Sequence, residues 1–246
     1  MSATLSLDFA DPERHAAALL RVAEANGESG AWLVLDRGRA TEGEGSDGLR
    51  IADDGERAAA TLTIDAGELE LEATRSVGVA LEQGSAVADA TGVFLEAFAA
   101  RVRGEWRLGE RRRVDVSGSI VRTSGEPDWT RVELVRSLTA VLDDGSLLVV
   151  AAARPAGAAG HGDEVVDAVI VDHEGAVTRF EEPLMSTEYG ADGRHRRAGV
   201  ELWARGDAAA LRGAGTLIGG AGDTAFLRFR LNGAAGTARY DLARGS

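Results

Sequence analysis

The sequence predicts an all-β protein, an antiparallel barrel or sandwich, with one helix near the N-terminus. Three observations predict this class. Polar and apolar residues alternate with period two in several segments, as in strands that have one wet face. Turn signals such as Asp143-Asp144-Gly145 and Asn232-Gly233 separate these segments. The N-terminal segment shows a helical spacing of apolar residues, and we find no second one after Gly30. Many strands joined by short turns favour barrels or a sandwich over an α/β fold.

The predicted helix spans about residues 12–26. Asp11 can cap its N-terminus, Pro12 suits the first helical position, and Gly27 provides a stop. An apolar stripe along this helix would pack on the outside of a sheet or plug one end of it. The stripe consists of Ala16, Leu19, Leu20 and Ala23.

Three segments show the strand period clearly. In Glu68–Ala73, glutamate alternates with leucine and alanine, so one face is charged and the other apolar. Arg101–Leu108 alternates in the same way, with Trp106 on its apolar face. In Leu227–Leu231, two arginines alternate with leucine and phenylalanine. Each segment is therefore predicted to be a half-buried strand.

Between Gly118 and Pro155 the sequence predicts a hairpin of another kind. Thr130–Leu142 carries apolar residues on both faces, and Leu147–Ala153 has no polar side chain on either face. A strand that is apolar on both sides must be covered on both sides. We therefore expect this hairpin where two halves of the protein meet or beneath the N-terminal helix. The residues expected to be nearly fully buried are Leu134, Leu138, Val149 and Ala151.

A short charged segment near Leu108–Arg113 separates two β-rich parts of the chain. We place the domain division there. The N-terminal helix and a first β half would span residues 1–110, and a second β half would span residues 111–246. We find no convincing sequence repeat between the two parts.

Composition limits the classes of partner. The formal net charge is −13, and arginine supplies all 27 cationic residues because lysine is absent. This charge repels nucleic-acid phosphates and anionic membranes, and no basic patch is dense enough to overcome it. The absence of cysteine excludes disulfides, thiolate metal sites and a cysteine nucleophile. The N-terminus lacks a signal-peptide pattern, and the longest apolar run, Leu147–Ala153, is far shorter than the roughly 20 residues that span a bilayer. We expect a soluble, cytoplasmic protein that binds no nucleic acid and does not insert into membranes.

Several short motifs within about residues 92–204 occur in the same order in a known family. They are Gly118, Gly125–Trp129 (GEPDW), Arg131–Arg136 (RVELVR), Arg154–Gly157 (RPAG), His161, Leu184–Thr187 (LMST) and Arg197–Trp203 (RAGVELW). With these motifs the segment resembles the carotenoid hydratase-like group, which includes hydroxyneurosporene synthase and related hydratases and cyclases. The resemblance implies two packed lipocalin-like β domains and a hydrophobic small-molecule ligand of terpenoid, polyketide or lipid type.

The family's polar loop, approximately G-x-R-x-H-S-W-G, maps onto Gly118–Gly125. Ile120 stands at the arginine position, Arg122 at the histidine and Ser124 at the tryptophan. Because these polar residues of the family are replaced here, the resemblance implies the fold more directly than the activity, which depends on the residues of a site. Arg122 is a candidate ligand-binding residue at this loop.

Other candidate site residues flank the long predicted strand. Trp129 could line a cavity for an apolar ligand while Asp128 acts as acid or base. Alternatively, Pro127-Asp128 forms a turn and Trp129 packs in the core. Arg136 interrupts an apolar strand face, and burying an unpaired charge costs several kcal/mol. It therefore pairs with a carboxylate, points into a ligand cavity or is exposed by a strand bend. Glu133 is a further catalytic candidate.

The sequence indicates no metal site and no cofactor. His161–Glu164 contains ligand-type residues without regular spacing. His173 and His195 lie at predicted turns, where we expect them to be solvated. The glycine runs at residues 213–215 and 219–222 open no predicted helix and lack a P-loop lysine.

Three functions remain open, and the sequence does not decide whether the protein is an enzyme. The first is binding of a hydrophobic small molecule in a barrel mouth or between the halves, with little or no catalysis. The second is a hydratase, isomerase or cyclase that uses Asp128, Arg136 and Glu133. The third is an interaction module without a pocket. A cavity beside Trp129 would favour the first two.

Overall fold

The computed structural model describes residues 3–23, 29–45, 47–82, 84–191, 195–204, 206 and 209–245. These residues form two antiparallel sheets of nine strands each. The first sheet contains β1 (Ala3–Asp11), β2 (Ala16–Ala23), β3 (Gly30–Asp36), β4 (Arg39–Glu44), β5 (Leu49–Asp53), β6 (Arg57–Ile64), β7 (Gly67–Leu81), β8 (Phe94–Trp106) and β9 (Arg112–Ser124). The second contains β10 (Val132–Leu142), β11 (Leu147–Pro155), β12 (Val165–Val171), β13 (Val177–Arg179), β14 (Leu184–Tyr189), β15 (His195–Leu202), β16 (Leu211–Ala221), β17 (Thr224–Leu231) and β18 (Ala234–Arg244). Helix α1 (Ala86–Thr91) joins β7 to β8, and a 3-10 turn (His161–Asp163) precedes β12.

Both sheets follow the same strand order. The first reads β4-β3-β2-β1-β9-β8-β7-β6-β5 and the second β13-β12-β11-β10-β18-β17-β16-β15-β14. Each sheet is therefore a chain of hairpins whose first and last strands pair in the middle, as in the register pairs Leu7↔Ile120 and Leu138↔Tyr240. The predicted turn at Asn232-Gly233 has positive φ at both residues (47° and 96°), as a two-residue type I′ hairpin requires.

Each sheet curls around its own apolar core, which confirms the predicted all-β class with two lipocalin-like halves. Trp106 is fully buried in the first core. Its ring packs edge-on against Phe9, with 6.3 Å between the ring centroids. Phe229 and Tyr240 occupy the second core. Two further apolar clusters lie between the sheets, so the halves are packed face to face.

The β10–β11 hairpin lies between the two halves, as the sequence predicted. Its residues alternate between the second core and a cluster shared with the first sheet. Leu138 and Val149 are fully buried and Ala151 is nearly so. Leu134 is only partly buried, because it follows a register shift at the start of β10 near the edge of the core.

The predicted helix at about residues 12–26 is wrong. Ala16–Ala23 is strand β2 and pairs with β1 throughout, and residues 24–26 lie outside the described part of the chain. The Asp11 carboxylate does accept a hydrogen bond from the Arg14 backbone N–H at 3.2 Å, as a capping residue would. This bond stabilises a short turn rather than a helix, and the turn ends at His15, whose φ is 49°. β2 is covered on both faces, by the first core and by an inter-sheet cluster. A surface helix would bury only one stripe of these residues.

The chain crosses from the first sheet to the second between Ser124 and Val132. The division expected near residue 110 would fall between β8 and β9, which pair along thirteen register positions of the same sheet. Whether the halves fold as separate domains stays a prediction. The short helix α1 was not foreseen; Ser85 caps it by accepting the Ala88 N–H at 3.2 Å.

Candidate functional site

A buried polar cluster lies where β1 of the first sheet contacts β18 of the second. The Asp8 carboxylate accepts hydrogen bonds from the Ser119 hydroxyl at 2.6 Å and from the Arg239 guanidinium. Nε of Arg239 also donates to Asp241 at 2.7 Å, and the Thr224 hydroxyl donates to the same carboxylate at 2.7 Å. Asp8 and Arg239 are 5% and 4% exposed, so this ion pair is isolated from solvent.

Strand periodicity places these side chains. Successive side chains of a strand point to opposite faces. Because the neighbouring residues on β1 and β18 fill the two cores, Asp8 and Asp241 must face the opposite sheet. The alternating core residues are Leu5, Leu7 and Phe9 of β1 and Ala238, Tyr240 and Leu242 of β18.

The two carboxylates of the cluster have pKa values shifted in opposite directions. Burial raises the pKa of Asp8, and this outweighs the lowering by Arg239 and by the hydrogen bond from Ser119. Burial also acts to raise the pKa of Asp241, but Arg239, Arg21 and the bond from Thr224 outweigh it and lower the pKa. Asp241 therefore loses its proton at a lower pH than Asp8 does.

A cavity of about 260 Å³ adjoins the cluster between the sheets. Arg239, Asp241 and Arg21 border one part of it, and most of the remaining wall is apolar. Its volume is just below the range of about 300–1,000 Å³ typical of small-molecule sites. The apolar wall includes Leu81, Val87, Val93, Leu95, Val121, Val135 and Ala151.

Helix α1 closes one wall of this inter-sheet cavity. The Val87 backbone N–H donates to the Asp167 carboxylate of β12 at 2.6 Å, which ties the helix of the first half to the second sheet. The Thr91 hydroxyl donates to the Val87 carbonyl at 2.7 Å and is itself buried. The helix is therefore held by both halves and contributes Val87 and Thr91 to the lining.

Arg21 is a lining residue both of the inter-sheet cavity and of a second cavity, the outer cavity. Its guanidinium lies 3.6 Å from the Asp241 carboxylate with the side chain 38% exposed. The outer cavity has a volume of about 330 Å³ and is also lined by Trp32 and Glu42.

Asp128 and Trp129 lie outside the lining of the inter-sheet cavity. Asp128 accepts hydrogen bonds from the Thr130 hydroxyl at 2.6 Å and backbone N–H at 3.0 Å, and these lower its pKa. Trp129 is 39% exposed. Gly125 and Pro127, just before them, do line the cavity. The assigned roles of Asp128 and Trp129 therefore stay predictions without a cavity beside them in support.

Arg136 borders the inter-sheet cavity, but its guanidinium lies on the other side of β10. There it contacts the Glu164 carboxylate and donates to the Thr187 hydroxyl at 3.0 Å and the Met185 carbonyl at 3.2 Å. Arg136 and Glu164 are 1% and 2% exposed. The carboxylate partner expected from the sequence is thus Glu164, which also accepts from Arg154 at 2.8 Å.

Glu133 and Arg122 occupy two further places. Glu133 is exposed, 3.7 Å from Arg154. Arg122 lies on the first-core side of β9 and bridges Asp53 at 3.0 Å and Glu96 at 3.1 Å. The five residues proposed from the sequence are therefore distributed over four locations. Their catalytic and binding roles stay predictions.

The sequence reasoning missed the cluster around Asp8, Arg239 and Asp241. The signal was present, since each of the three is a charged residue between two apolar ones on a strand. Among the described residues, no group of three or more histidine or acidic side chains could hold a metal ion. No helix in the described part of the chain is long and apolar enough to cross a bilayer.

Comparisons with known proteins support the fold. No family model matches the chain, and no curated protein matches its sequence. Among solved structures, kievitone hydratase from Nectria haematococca is similar at TM-score 0.66 and 9% identity, covering 99% of this chain and 89% of that chain. CghA in complex with Sch210972 is similar at TM-score 0.67 and 10% identity, covering 100% of this chain and 88% of that chain. The chain therefore shares the paired lipocalin-like fold of these two proteins along its whole length.

Proposed function

We propose that the protein binds an apolar small molecule in the inter-sheet cavity and acts on it as a hydratase- or cyclase-type enzyme of the carotenoid hydratase-like group. The apolar wall suits a terpenoid, polyketide or lipid-like body. The solved structures with this fold include one hydratase, kievitone hydratase, which favours the enzymatic alternative over simple binding. The presence of a cavity speaks against an interaction module without a pocket.

One observation carries this proposal: a mostly apolar cavity is bordered by Arg239 and by Asp241, a carboxylate whose pKa is lowered by Arg239, Arg21 and the Thr224 hydroxyl. In the proposal, Asp241 is the ionised group that takes a proton from water, or from a substrate hydroxyl in a cyclisation, as that oxygen bonds to one carbon of a substrate double bond. Asp241 then returns the proton to the adjacent carbon. Arg239 donates N–H bonds to negative charge that develops on a substrate oxygen. Asp8 does not line the cavity and acts as a positioning residue, because its contact orients the Arg239 guanidinium.

The binding part of the proposal is tested with a cavity-filling variant. Ala151 is 6% exposed and lines the cavity, so Ala151→Leu places extra carbon atoms inside it. Native mass spectrometry of the purified protein identifies any co-purified apolar compound, and displacement of anilinonaphthalene sulfonate measures its affinity. We expect Ala151→Leu to weaken binding by about tenfold or more. Ala59→Leu, the same change at an exposed position of β6 away from the cavity, is the matched control and should leave binding unchanged. Equal affinity in wild type and Ala151→Leu would place the ligand elsewhere.

Catalysis is tested separately with Asp241→Asn, which keeps the size of the side chain and removes the ionised carboxylate. We expect binding of the identified compound to persist while its conversion is lost. Asp115→Asn, a change at an exposed carboxylate on β9, is the matched control and should convert the compound at the wild-type rate. Incorporation of isotopically labelled oxygen from water distinguishes hydration from cyclisation. Full conversion by Asp241→Asn would leave the protein as a binding protein only.

A further inference from the structure

The wall of the inter-sheet cavity contains hydroxyl groups that make no hydrogen bond to the described part of the chain. Thr4, Thr123 and Ser137 line the cavity and are partly buried. Among the described residues, their hydroxyl oxygens have no hydrogen-bond partner, and none of these oxygens is fully enclosed by protein. Thr91 also lines the cavity, but its hydroxyl donates to the Val87 carbonyl at 2.7 Å. The three unbonded hydroxyls are therefore available to a ligand in the cavity.

His195 carries an unbonded polar atom that is not available in this way. It is 7% exposed, rather than solvated as its predicted turn position suggested, and its ring lies between Tyr189 and Tyr240. Within the described part of the chain, its Nε2 has no hydrogen-bond partner and is enclosed by protein. Access to a cavity therefore distinguishes the three hydroxyls from this nitrogen.

Strand register places two of the hydroxyls side by side. Thr4 and Thr123 lie directly opposite each other on β1 and β9, so their Cβ atoms are about 4.5–5.5 Å apart on one face of the first sheet. We call these two residues the threonine pair. Ser137 lies opposite Asp241 in the second sheet. Two hydroxyls this close together can bind one ligand oxygen: a carbonyl accepts from both, and a hydroxyl accepts from one and donates to the other.

The threonine pair is separated from the charged cluster. Ser6 accepts a hydrogen bond from the Arg239 guanidinium at 3.3 Å, and Thr4 lies two residues farther along β1. Because a strand rises about 3.3 Å per residue, Thr4 is about 6.6 Å beyond Ser6. The residue opposite Thr123 on β8 is Leu95, an apolar residue of the cavity wall. An uncharged oxygen suits this position better than a charged one, which would lose its hydration without gaining a charged partner.

We propose that the threonine pair recognises an uncharged hydroxyl or carbonyl oxygen at the end of the substrate that lies away from Arg239. The inference rests on the proposed function in that it places the ligand in the inter-sheet cavity, and it does not depend on proton transfer by Asp241. It narrows the substrate class from an apolar compound to an oxygenated one, such as an unsaturated alcohol or ketone. A few polar groups in an apolar wall are what fix the orientation of a ligand in small-molecule sites.

The experiment uses 2-naphthol as the probe and naphthalene, which lacks the hydroxyl, as the matched comparison. Both are fluorescent and uncharged near neutral pH, so fluorescence titration measures their affinities. The double variant Thr4→Val/Thr123→Val replaces both hydroxyls by methyl groups at nearly constant side-chain shape. It should weaken 2-naphthol binding by about tenfold, the loss of one hydrogen bond, and leave naphthalene binding unchanged. Thr63→Val, at an exposed position of β6 outside the cavity lining, is the matched control and should leave both affinities unchanged.

Two further measurements separate recognition from a structural role. In wild-type protein with ¹³C-labelled threonine methyl groups, 2-naphthol should shift the resonances of Thr4 and Thr123 and leave that of Thr63 unmoved. Urea unfolding of the double variant should show no loss of stability, because the two hydroxyls have no partner among the described residues. Unmoved resonances of the threonine pair, or a clear loss of stability, would contradict the proposal.

Ala151→Leu, which fills the cavity, distinguishes failure of this inference from failure of the proposed function. If it weakens both probes while the double variant binds 2-naphthol as tightly as wild type, the cavity binds ligands but the threonine pair does not recognise their oxygen. If it changes neither affinity, the probes bind elsewhere, and the binding part of the proposed function fails together with this inference. Absence of 2-naphthol binding to the wild type would also overturn the inference.

Discussion

The buried pair of Arg136 and Glu164 makes an asymmetric prediction about stability. Removing one partner of a buried ion pair costs about 3–5 kcal/mol when the other charge is left alone. In Arg136→Met, however, Glu164 keeps the Arg154 guanidinium, whose Nε and Nη2 lie 3.1 and 2.8 Å from its Oε1. The Thr187 hydroxyl also keeps its contact with the Tyr240 hydroxyl at 3.1 Å. We therefore expect Arg136→Met to cost only about 1–3 kcal/mol.

Glu164→Gln should cost more than Arg136→Met, although it changes fewer atoms. It takes the carboxylate from two guanidinium groups at once, and the Arg136 side chain is 1% exposed. The expected loss is about 3–5 kcal/mol. Arg136→Ala should lie about 2 kcal/mol above Arg136→Met, because methionine fills the space of the aliphatic stem and alanine leaves a void.

Equilibrium urea unfolding measures these differences, provided that the variants keep the wild-type m-value. The double variant Arg136→Met/Glu164→Gln should lose less stability than the sum of the single changes, since the two residues interact directly. Glu133→Gln is the control, because Glu133 is exposed and 3.7 Å from Arg154; it should stay within about 0.5 kcal/mol of wild type. If Arg136→Met proved as costly as Glu164→Gln, the compensating role of Arg154 would be wrong.

Three further changes test other parts of the structure. Leu138→Ala, at a fully buried position in the second core, should cost about 2–5 kcal/mol in urea unfolding; a loss well below 1 kcal/mol would mean that the site collapses or is exposed. Gly104→Ala should destabilise by about 1–3 kcal/mol or more, because its Cβ would lie 1.9 Å from the Glu70 carbonyl oxygen of the neighbouring strand, and unchanged stability would contradict that packing. Because the pKa of His195 is lowered in the folded state, the unfolded state binds more protons below about pH 6.5. The unfolding free energy should therefore fall as the pH drops from about 7 to 5, and His195→Phe should reduce that slope; an identical slope in the variant would assign it to other groups.

The sequence predicted the strands that have one wet face better than those that have none. In Glu68–Ala73 charged and apolar residues alternate strictly, and this pattern fits a strand but not a helix. In β2 the run AAALLRVA is apolar on both faces, so the spacing of its apolar residues fits a helix and a strand alike. Pairing with the neighbouring strand β1 at eight register positions stabilises the strand conformation of β2. That information is tertiary and is absent from the local pattern.

The candidate site was harder to predict than the fold, because its parts are far apart in the chain. Asp8 and Arg239 meet across 231 residues, and each looks like an ordinary solvent-facing charge on an alternating strand. The period-two alternation of side chains along a strand shows which residues share a face of the sheet. It does not show which face is covered by another sheet. Arg136 was recognised only because the residues on both faces of its strand are apolar, which showed that both faces are covered.

The repeated strand order explains why the polar cluster lies where it does. In each sheet the first and last strands pair at the centre, which brings Asp8 opposite Ser119 in the first sheet and Thr139 opposite Arg239 in the second. The two central pairs face each other, so a carboxylate from one sheet reaches a guanidinium from the other. Since each sheet supplies one member of the Asp8–Arg239 pair, neither half alone contains the site. The shared topology positions the cluster, while the residues that distinguish the halves, with α1 as the added wall, determine what chemistry it can perform.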